Sequence, residues 1–428
     1  MLTKRLQELS DEDLTKLFSR QVGIQDVLSQ VGEILAQVAE TGDKALLEYT
    51  EKFDGVKLSS LRVTQEELEE AYDSVSEELL KSLAQAAESI FAFHSEQLEH
   101  DLWLTEIEPG VTVGQKIVPL DSVGAYVPGG RAAYPSSALM TVIPAEVAGV
   151  PRIVVCTPPG KDGMVNPLTL VAADTAGADE IYKVGGVQAI AAMAFGTESV
   201  GKVTKIVGPG NTYVTAAKLL IRDAAEIDFP AGPSEVLIIA DRSADPGIVA
   251  SDMVAQMEHD PNSIAVAVLL DDLLASAVAE EVQLQAKAAA RCEIVEKCME
   301  KSAILLADDL DSAVVFSNAF APEHLEIMVR EPFLALQGIT DAGSIFLGNY
   351  SPVAAGDYAS GTNHVLPTSG YARRFSGLNV DHFVKKISIQ SISEDGLRLL
   401  EPTITTLAEA EGLKAHAESV RRRLALGR

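Results

Sequence analysis

The chain of 428 residues carries 62 acidic and 34 basic side chains, a formal net charge of −28. That balance excludes nucleic acid and anionic membrane as electrostatic partners, because no basic surplus exists to neutralise phosphates. Apolar content of 47% allows large packed cores, the length predicts two or three domains, and no run reaches the roughly 18 uninterrupted apolar residues of a membrane span.

Met1 to Arg20 mixes acids and bases in a helical pattern. It has neither the apolar core of a signal peptide nor the acid-poor composition of a transit peptide, so a cytoplasmic protein is expected. Ser10-Asp11-Glu12-Asp13 has the form of a capping box. Ile24 to Tyr49 and Thr64 to Phe93 repeat apolar residues at helical spacing. Residues 1 to about 100 therefore read as helical, with His94 and His100 as solvated or packing residues.

From Ser122 the period changes. Strands are predicted at Ser122–Val127, Arg152–Cys156, Glu180–Val184 and Val203–Val207. Helices are predicted at Ser136–Ala148, with Pro144 a kink, and at Leu168–Ala176, Gln188–Phe195 and Tyr213–Arg222. Glycine turns separate them: Gly129-Gly130, Gly185-Gly186 and Gly208-Pro209-Gly210. A second set follows Phe229-Pro230-Ala231-Gly232-Pro233. Its strands are Val236–Ala240, Ile264–Leu270, Ala303–Leu306, Leu325–Val329 and Ser344–Phe346. Its helices start at Pro246, capped by Asp245, and span most of Leu273–Met299. Such alternation predicts two parallel-sheet α/β units of Rossmann-like type. A strand at Lys386–Ile392 and two helices, the last from Leu413 to about Leu424, form a tail.

Between the helix ending near Phe320 and the strand at Leu325 stands Ala321-Pro322-Glu323-His324-Leu325-Glu326. Pro322 cannot continue the helix and biases Ala321 toward an extended conformation. A carboxylate beside an imidazole on a loop held by rigid elements suits general acid–base work, although a Glu-His dipeptide alone is usually plain surface. Gln256 and His259, three apart, share a helix face at a common metal-ligand spacing, but Gln is an unusual ligand. Ser351–Pro367 reads as a long polar loop whose Asp357, Thr362, Asn363 and His364 favour function over disorder. Glu411 and His416 frame the last helix, where alone they would be a helix-terminal carboxylate and an exposed His. The glycine turns can present N–H groups to a phosphate, yet none is a G-x-G-x-x-G after a first strand. Cys156, Cys292 and Cys298 make neither a disulfide framework nor a CxxC site.

Eight separated motifs stand in order from Ser122 to the end of the chain. They are Ala125-Tyr126-Val127-Pro128-Gly129-Gly130, Val184 to Gln188, Gly208-Pro209-Gly210-Asn211, Pro230 to Glu235, Gln256-Met257-Glu258-His259, Ala321 to Leu325, Gly356 to Pro367 and Glu411 to His416. Together they resemble the histidinol dehydrogenase family; upstream of Ser122 the likeness rests on length and helical character. The resemblance implies two incomplete Rossmann-like domains with small terminal parts, an intertwined homodimer with shared active sites, and Zn2+ and NAD as cofactors. It implies oxidation of histidinol through histidinaldehyde to histidine, the last steps of histidine biosynthesis. Gln256, His259, Asp357 and His416 match the family's zinc ligands and Glu323 and His324 its proton-transferring pair. Ser234, His324, Asp357, His364 and Glu411, with the remaining metal ligands, match the substrate site, and Tyr126, Gln188 and Asn211 match NAD contacts. The expected divisions are a helical N-terminal region, 1–121, its later part packing on the second α/β domain; an NAD-binding domain, 122–233; a zinc and catalytic domain, 234–382; and a dimerisation tail, 383–428.

Three rival classes fit part of this pattern. A related zinc/NAD dehydrogenase acting on another small polar alcohol, such as a sulfonated diol, would differ only in substrate contacts. A zinc hydrolase would use Glu323 to activate water without a nicotinamide. A binding module would need no Glu-His pair beside a metal site.

Overall fold

The structure, a computed structural model, describes residues 1–20, 23–129, 133–230 and 232–426. Gly130 and Arg131 of the first glycine turn, and Ala231 of the Pro230–Glu235 motif, lie outside the described residues.

The chain opens with β1 (Leu2–Arg5) and α1 (Asp11–Phe18), the helix started by a Ser10–Asp13 capping box. Helices α2 (Ile24–Thr41), α3 (Asp43–Phe53), α4 (Gln65–Ser74) and α5 (Glu77–Ser95) follow, then strands β2 (Leu102–Glu108) and β3 (Val111–Pro119). The first α/β set is β4 (Val123–Tyr126), α6 (Pro135–Val147), β5 (Ile153–Thr157), α7 (Pro167–Thr175), β6 (Glu180–Lys183), α8 (Gly186–Phe195), β7 (Lys205–Val207), α9 (Thr212–Leu220) and β8 (Glu226–Ile227). The second begins with β9 (Glu235–Ala240), α10 (Pro246–Met257), β10 (Ile264–Leu269), α11 (Asp272–Ala288), α12 (Cys292–Met299) and β11 (Ala303–Leu306). It continues through α13 (Leu310–Phe320), β12 (His324–Met328), α14 (Pro332–Leu336), β13 (Ser344–Leu347) and α15 (Val353–Tyr358). The chain closes with β14 (Val384–Ile392), α16 (Glu394–Ala410) and α17 (Lys414–Leu426).

The chain divides into two units. The larger holds Met1–Gln97 and Asp121–Phe383. It contains a five-stranded parallel sheet ordered β6-β5-β4-β7-β8 and a six-stranded parallel sheet ordered β1-β11-β10-β9-β12-β13. Both are buried on two faces, which is why β10, and β9 after its first residue, read as unbroken apolar runs rather than alternating ones. In the second sheet Leu325 and Ile327 point into the core that includes Leu17 and Phe320. Met328, of opposite parity, packs with Met253 and Met257 of α10. Strand periodicity therefore sends His324 and Glu326 to the α10 face.

The N-terminal region departs from expectation in three ways. Leu2–Arg5 is a strand, not helix: it adds to the edge of the second sheet beside β11, so tertiary pairing overrides the helical pattern. Residues 102–119 form the strands β2 and β3 within the region expected to be helical. Finally, α2 and α3 pack on the first sheet, in a core with Tyr126, Cys156 and Ile190, and α4 and α5 pack on α6 and α7. Of these helices α5 also meets the second α/β set, where His94 and Asn363 are hydrogen-bonded.

The smaller unit holds Leu98–Leu120 with the chain from Val384 on. Its antiparallel sheet is ordered β14-β3-β2, and α16 packs with α17. The tail is thus built around a distant hairpin, a pairing of 23 residues of middle chain with the C-terminus that no local pattern specifies.

Candidate active site

Glu323 and His324 sit where α13 gives way to β12. Ala321 does not become extended: its φ of 50° and ψ of 66° are left-handed, and its N–H donates to the Ser317 carbonyl at 2.7 Å. This ends the helix in the manner usual for glycine, and the chain turns sharply through Pro322. His324 then opens β12 between Val236 of β9 and Ser344 of β13.

Both side chains are buried. The Glu323 carboxylate accepts the Glu235 N–H at 2.8 Å, and His324 Nδ1 lies 2.9 Å from the Glu235 carbonyl. A carbonyl only accepts, so Nδ1 carries the proton and the neutral ring has its lone pair on Nε2. His324 Nε2 is buried and has no partner. Burial pushes the ring down to about 4, helped by the nearby charges of His364 and His259. Burial also raises the Glu323 carboxyl well above its ordinary value; the Glu235 N–H opposes this, and the carboxylates of Glu235 and Asp357 add to it. With the ring neutral, the 3.6 Å between His324 Nδ1 and Glu323 Oε2 is not an ion pair.

Of the other expected residues, His259 and His364 lie close enough to His324, and Asp357 to Glu323, to influence their charge. Gln256, in the last turn of α10, is buried with Nε2 unpartnered; the amide turned over presents its oxygen instead. His259 follows just beyond the helix and is exposed. Asp357 lies near the end of α15, a short helix inside the stretch expected to be a loop, and burial pushes its carboxyl up to about 6. His364 has a buried Nε2 with no partner, and burial pushes its ring down to about 4. Its neighbour Asn363 is a tether: Nδ2 donates to the Met140 carbonyl at 2.8 Å and Oδ1 accepts the Val365 N–H at 2.8 Å. Ser234 precedes β9, half-buried. Buried polar atoms are nearly always hydrogen-bonded, so unpartnered atoms on Gln256, His324 and His364 mark a place where a ligand's donors and acceptors fit.

Glu411 and His416 belong to the smaller unit, at the end of α16 and in the first turn of α17, and both are exposed. Among the described residues no three His, Cys, Asp or Glu side chains come together to hold a metal ion. Gln256 stands outside those residue types, and the larger unit brings only His259 and Asp357 of them from the expected ligand set.

Tyr126, Gln188 and Asn211 lie at the carboxyl ends of β4, β6 and β7. Strand order reverses there between β4 and β7, the usual crevice for a nucleotide in an open α/β sheet. The Tyr126 hydroxyl accepts the Gly186 N–H at 3.2 Å, and burial pushes it up to about 12. Gln188 is buried with Oε1 unpartnered. Asn211 caps α9, accepting from the N–H groups of Tyr213 and Val214. Gly208 has φ of 114°, and a Cβ there would lie 2.1 Å from the Tyr126 carbonyl oxygen, so only glycine lets this turn close on β4. By contrast, Glu323 and His324 stand at the amino ends of the second sheet's strands.

Sequence reasoning passed over two residues. The Glu235 backbone holds both Glu323 and His324, and Arg20 pairs with the Glu235 carboxylate at 2.5 Å. Glu235 stood inside a motif without a role; nothing local distinguishes Arg20.

The sequence matches the family described as Histidinol dehydrogenase over residues 18–424. The histidinol dehydrogenase of Methanosarcina barkeri is 59% identical over 423 residues, covering 99% of this chain and 98% of that protein. That of Methanothermobacter thermautotrophicus is 53% identical, covering 98% and 99%. The crystal structure of histidinol dehydrogenase from Elizabethkingia anophelis superposes with a TM-score of 0.95 at 40% identity, covering 100% of this chain and 99% of that one. The chain belongs to the histidinol dehydrogenase family.

Proposed function

We propose that this protein oxidises L-histidinol through L-histidinaldehyde to L-histidine with NAD, as a zinc-dependent homodimer of the cytoplasm. The observation that carries this reading is the His324 imidazole, fixed as the tautomer with a free, buried Nε2, beside a buried carboxyl on the next residue. When bound, two NAD molecules in turn would each accept one hydride, and zinc would supply a Lewis acid that holds the substrate.

The chain's own residues then have separable roles. His324 Nε2 is a neutral base at physiological pH and takes the hydroxyl proton as the alcohol becomes an aldehyde. Glu323, whose carboxyl titrates well above the ordinary range, takes a proton from the water that adds to the aldehyde. Burial of both groups keeps bulk water away from the reactive aldehyde. Gln256, His259, Asp357 and His416 offer the mixed oxygen and nitrogen donors that suit zinc. Ser234, His364 and Glu411 complete the substrate site, and Tyr126, Gln188 and Asn211 line the nicotinamide crevice.

Two features support a dimer. The larger unit's share of the ligand set is incomplete without a His. In the smaller unit every residue of β2 is exposed, including Leu102, Trp103, Leu104 and Ile107, an apolar surface of the kind partners cover. No helix among the described residues is long and apolar enough to cross a membrane. An enzyme for a sulfonated diol finds no support among the relatives. NADH absorbance on adding histidinol, with two NADH per histidine formed, tests the proposal; no NADH from the zinc-loaded protein would refute it.

A further inference from the structure

We propose that the buried Arg20–Glu235 pair is the positioning device of the acid–base pair, a role that rests on the function proposed above. Glu235, the first residue of β9, grips both groups with its backbone: its N–H donates to Glu323 Oε2 at 2.8 Å, and its carbonyl accepts from His324 Nδ1 at 2.9 Å. Any displacement of this one residue therefore moves the base for each oxidation. The Glu235 side chain is 1% exposed, and its carboxylate accepts from Arg20 Nη1 at 2.5 Å and from the Ser369 N–H at 2.9 Å.

The same guanidinium reaches the other end of the catalytic segment. Arg20 Nη2 donates to the Phe320 carbonyl at 2.5 Å, and the guanidinium lies over the Phe320 ring, 3.9 Å from its centroid. Phe320 is the last residue of α13, three before Glu323, and Ala321 between them holds the left-handed conformation. A non-glycine residue stays in that region only where its surroundings over-determine it. One planar fork thus ties the strand residue that grips Glu323 and His324 to the helix end from which their loop departs. A lysine point charge cannot bridge both acceptors. Neither Arg20 nor Glu235 uses its side chain on the faces of Glu323 and His324 left for substrate, so both act through their neighbours.

A purely structural pair makes a different prediction, because a buried ion pair replaced as a whole by apolar residues frequently keeps its stability. The test uses the full chain, zinc-loaded, as wild type, as Arg20→Met/Glu235→Leu and as Arg20→Lys. Unfolding temperature, histidinol KM, and kcat on histidinol and on histidinaldehyde are measured separately. The double variant should fold, keep KM within about threefold, and lose roughly 10- to 100-fold in kcat on both substrates, the scale of an ångström-sized misplacement. Arg20→Lys should lose about tenfold or more in kcat at unchanged KM. Wild-type kcat in the folded double variant would overturn the proposal, as would a loss confined to KM or to one substrate. If the double variant does not fold, Arg20→Lys decides: full kcat overturns the proposal, and a kcat loss at unchanged KM upholds it. A wild type that forms no NADH from histidinol defeats the proposed function instead, so the two failures are distinct.

Discussion

Burial gives adjacent residues opposite protonation tendencies. It disfavours charge on both groups, so His324 is neutral and ready to accept a proton, while Glu323 holds its proton to a higher pH than an ordinary carboxyl. The two oxidations should therefore respond differently to one substitution. Glu323→Gln should cut histidinaldehyde oxidation by roughly 10²–10⁴-fold, the worth of a positioned base, and spare alcohol oxidation. NADH formation from each substrate alone measures this, and equal losses would end the division of labour. The same shifts set the pH dependence. His324 loses its proton near pH 4, so it is already a base throughout the neutral range, whereas Glu323 must still ionise. The acid limb of aldehyde oxidation should lie at higher pH than that of alcohol oxidation. For the metal, His259→Ala should purify with little zinc; full zinc content would remove His259 from the ligand set.

At the scale of elements, three segments that carry site residues meet at a second pair of acids. Glu326, two residues along β12 from His324, is fully buried; Asp252 stands one turn before Gln256 on α10; and Val353 opens α15, which carries Asp357. Glu326 Oε1 accepts the Val353 N–H at 2.9 Å, while Glu326 Oε2 and Asp252 Oδ2 are buried without a donor. The two carboxyl groups lie close enough to feel each other, and burial raises both. A proton held between them satisfies both oxygens. Since the folded state keeps that proton where the unfolded chain releases it, stability falls as pH rises above the ordinary carboxylate range near 4, by up to about 1.4 kcal/mol per pH unit. Glu326→Gln replaces the shared proton with an amide donor. Its melting temperature should gain on wild type between pH 5 and pH 8, and a difference independent of pH would exclude the shared proton.

Across the whole molecule, the proposed ligand set is divided between units: Gln256, His259 and Asp357 in the larger, His416 in the smaller. If the dimer exchanges its tails, each site takes His416 from the other chain, and a two-fold assembly has two equivalent shared sites. Two inactive variants, His259→Ala and His416→Ala, should then complement when co-expressed. In a mixed dimer one site carries both substitutions and the other neither, so random pairing leaves about a quarter of all sites intact. A preparation of confirmed mixed dimers with no activity would show that each site is built within one chain.

What the sequence by itself determined was local. Strand and helix periods, the Asp245 and Ser10 caps and the glycine turns follow from backbone sterics and side-chain spacing, and they placed the two α/β sets correctly. The motif residues were legible because their chemistry shows in their type: a carboxylate beside an imidazole at Glu323 and His324, and the polar side chains of Gln256 and His364. The tertiary structure alone decided what depends on distant partners. Leu2–Arg5 is a strand because β11 offers it an edge, and β14 exists as a sheet because β3 lies beside it. Ala321 is left-handed rather than extended, against the bias of the following proline, because the helix end and the turn to β12 require it. Arg20 matters only through Glu235, 215 residues away, since the free energy of a buried charge is set by the groups that surround it.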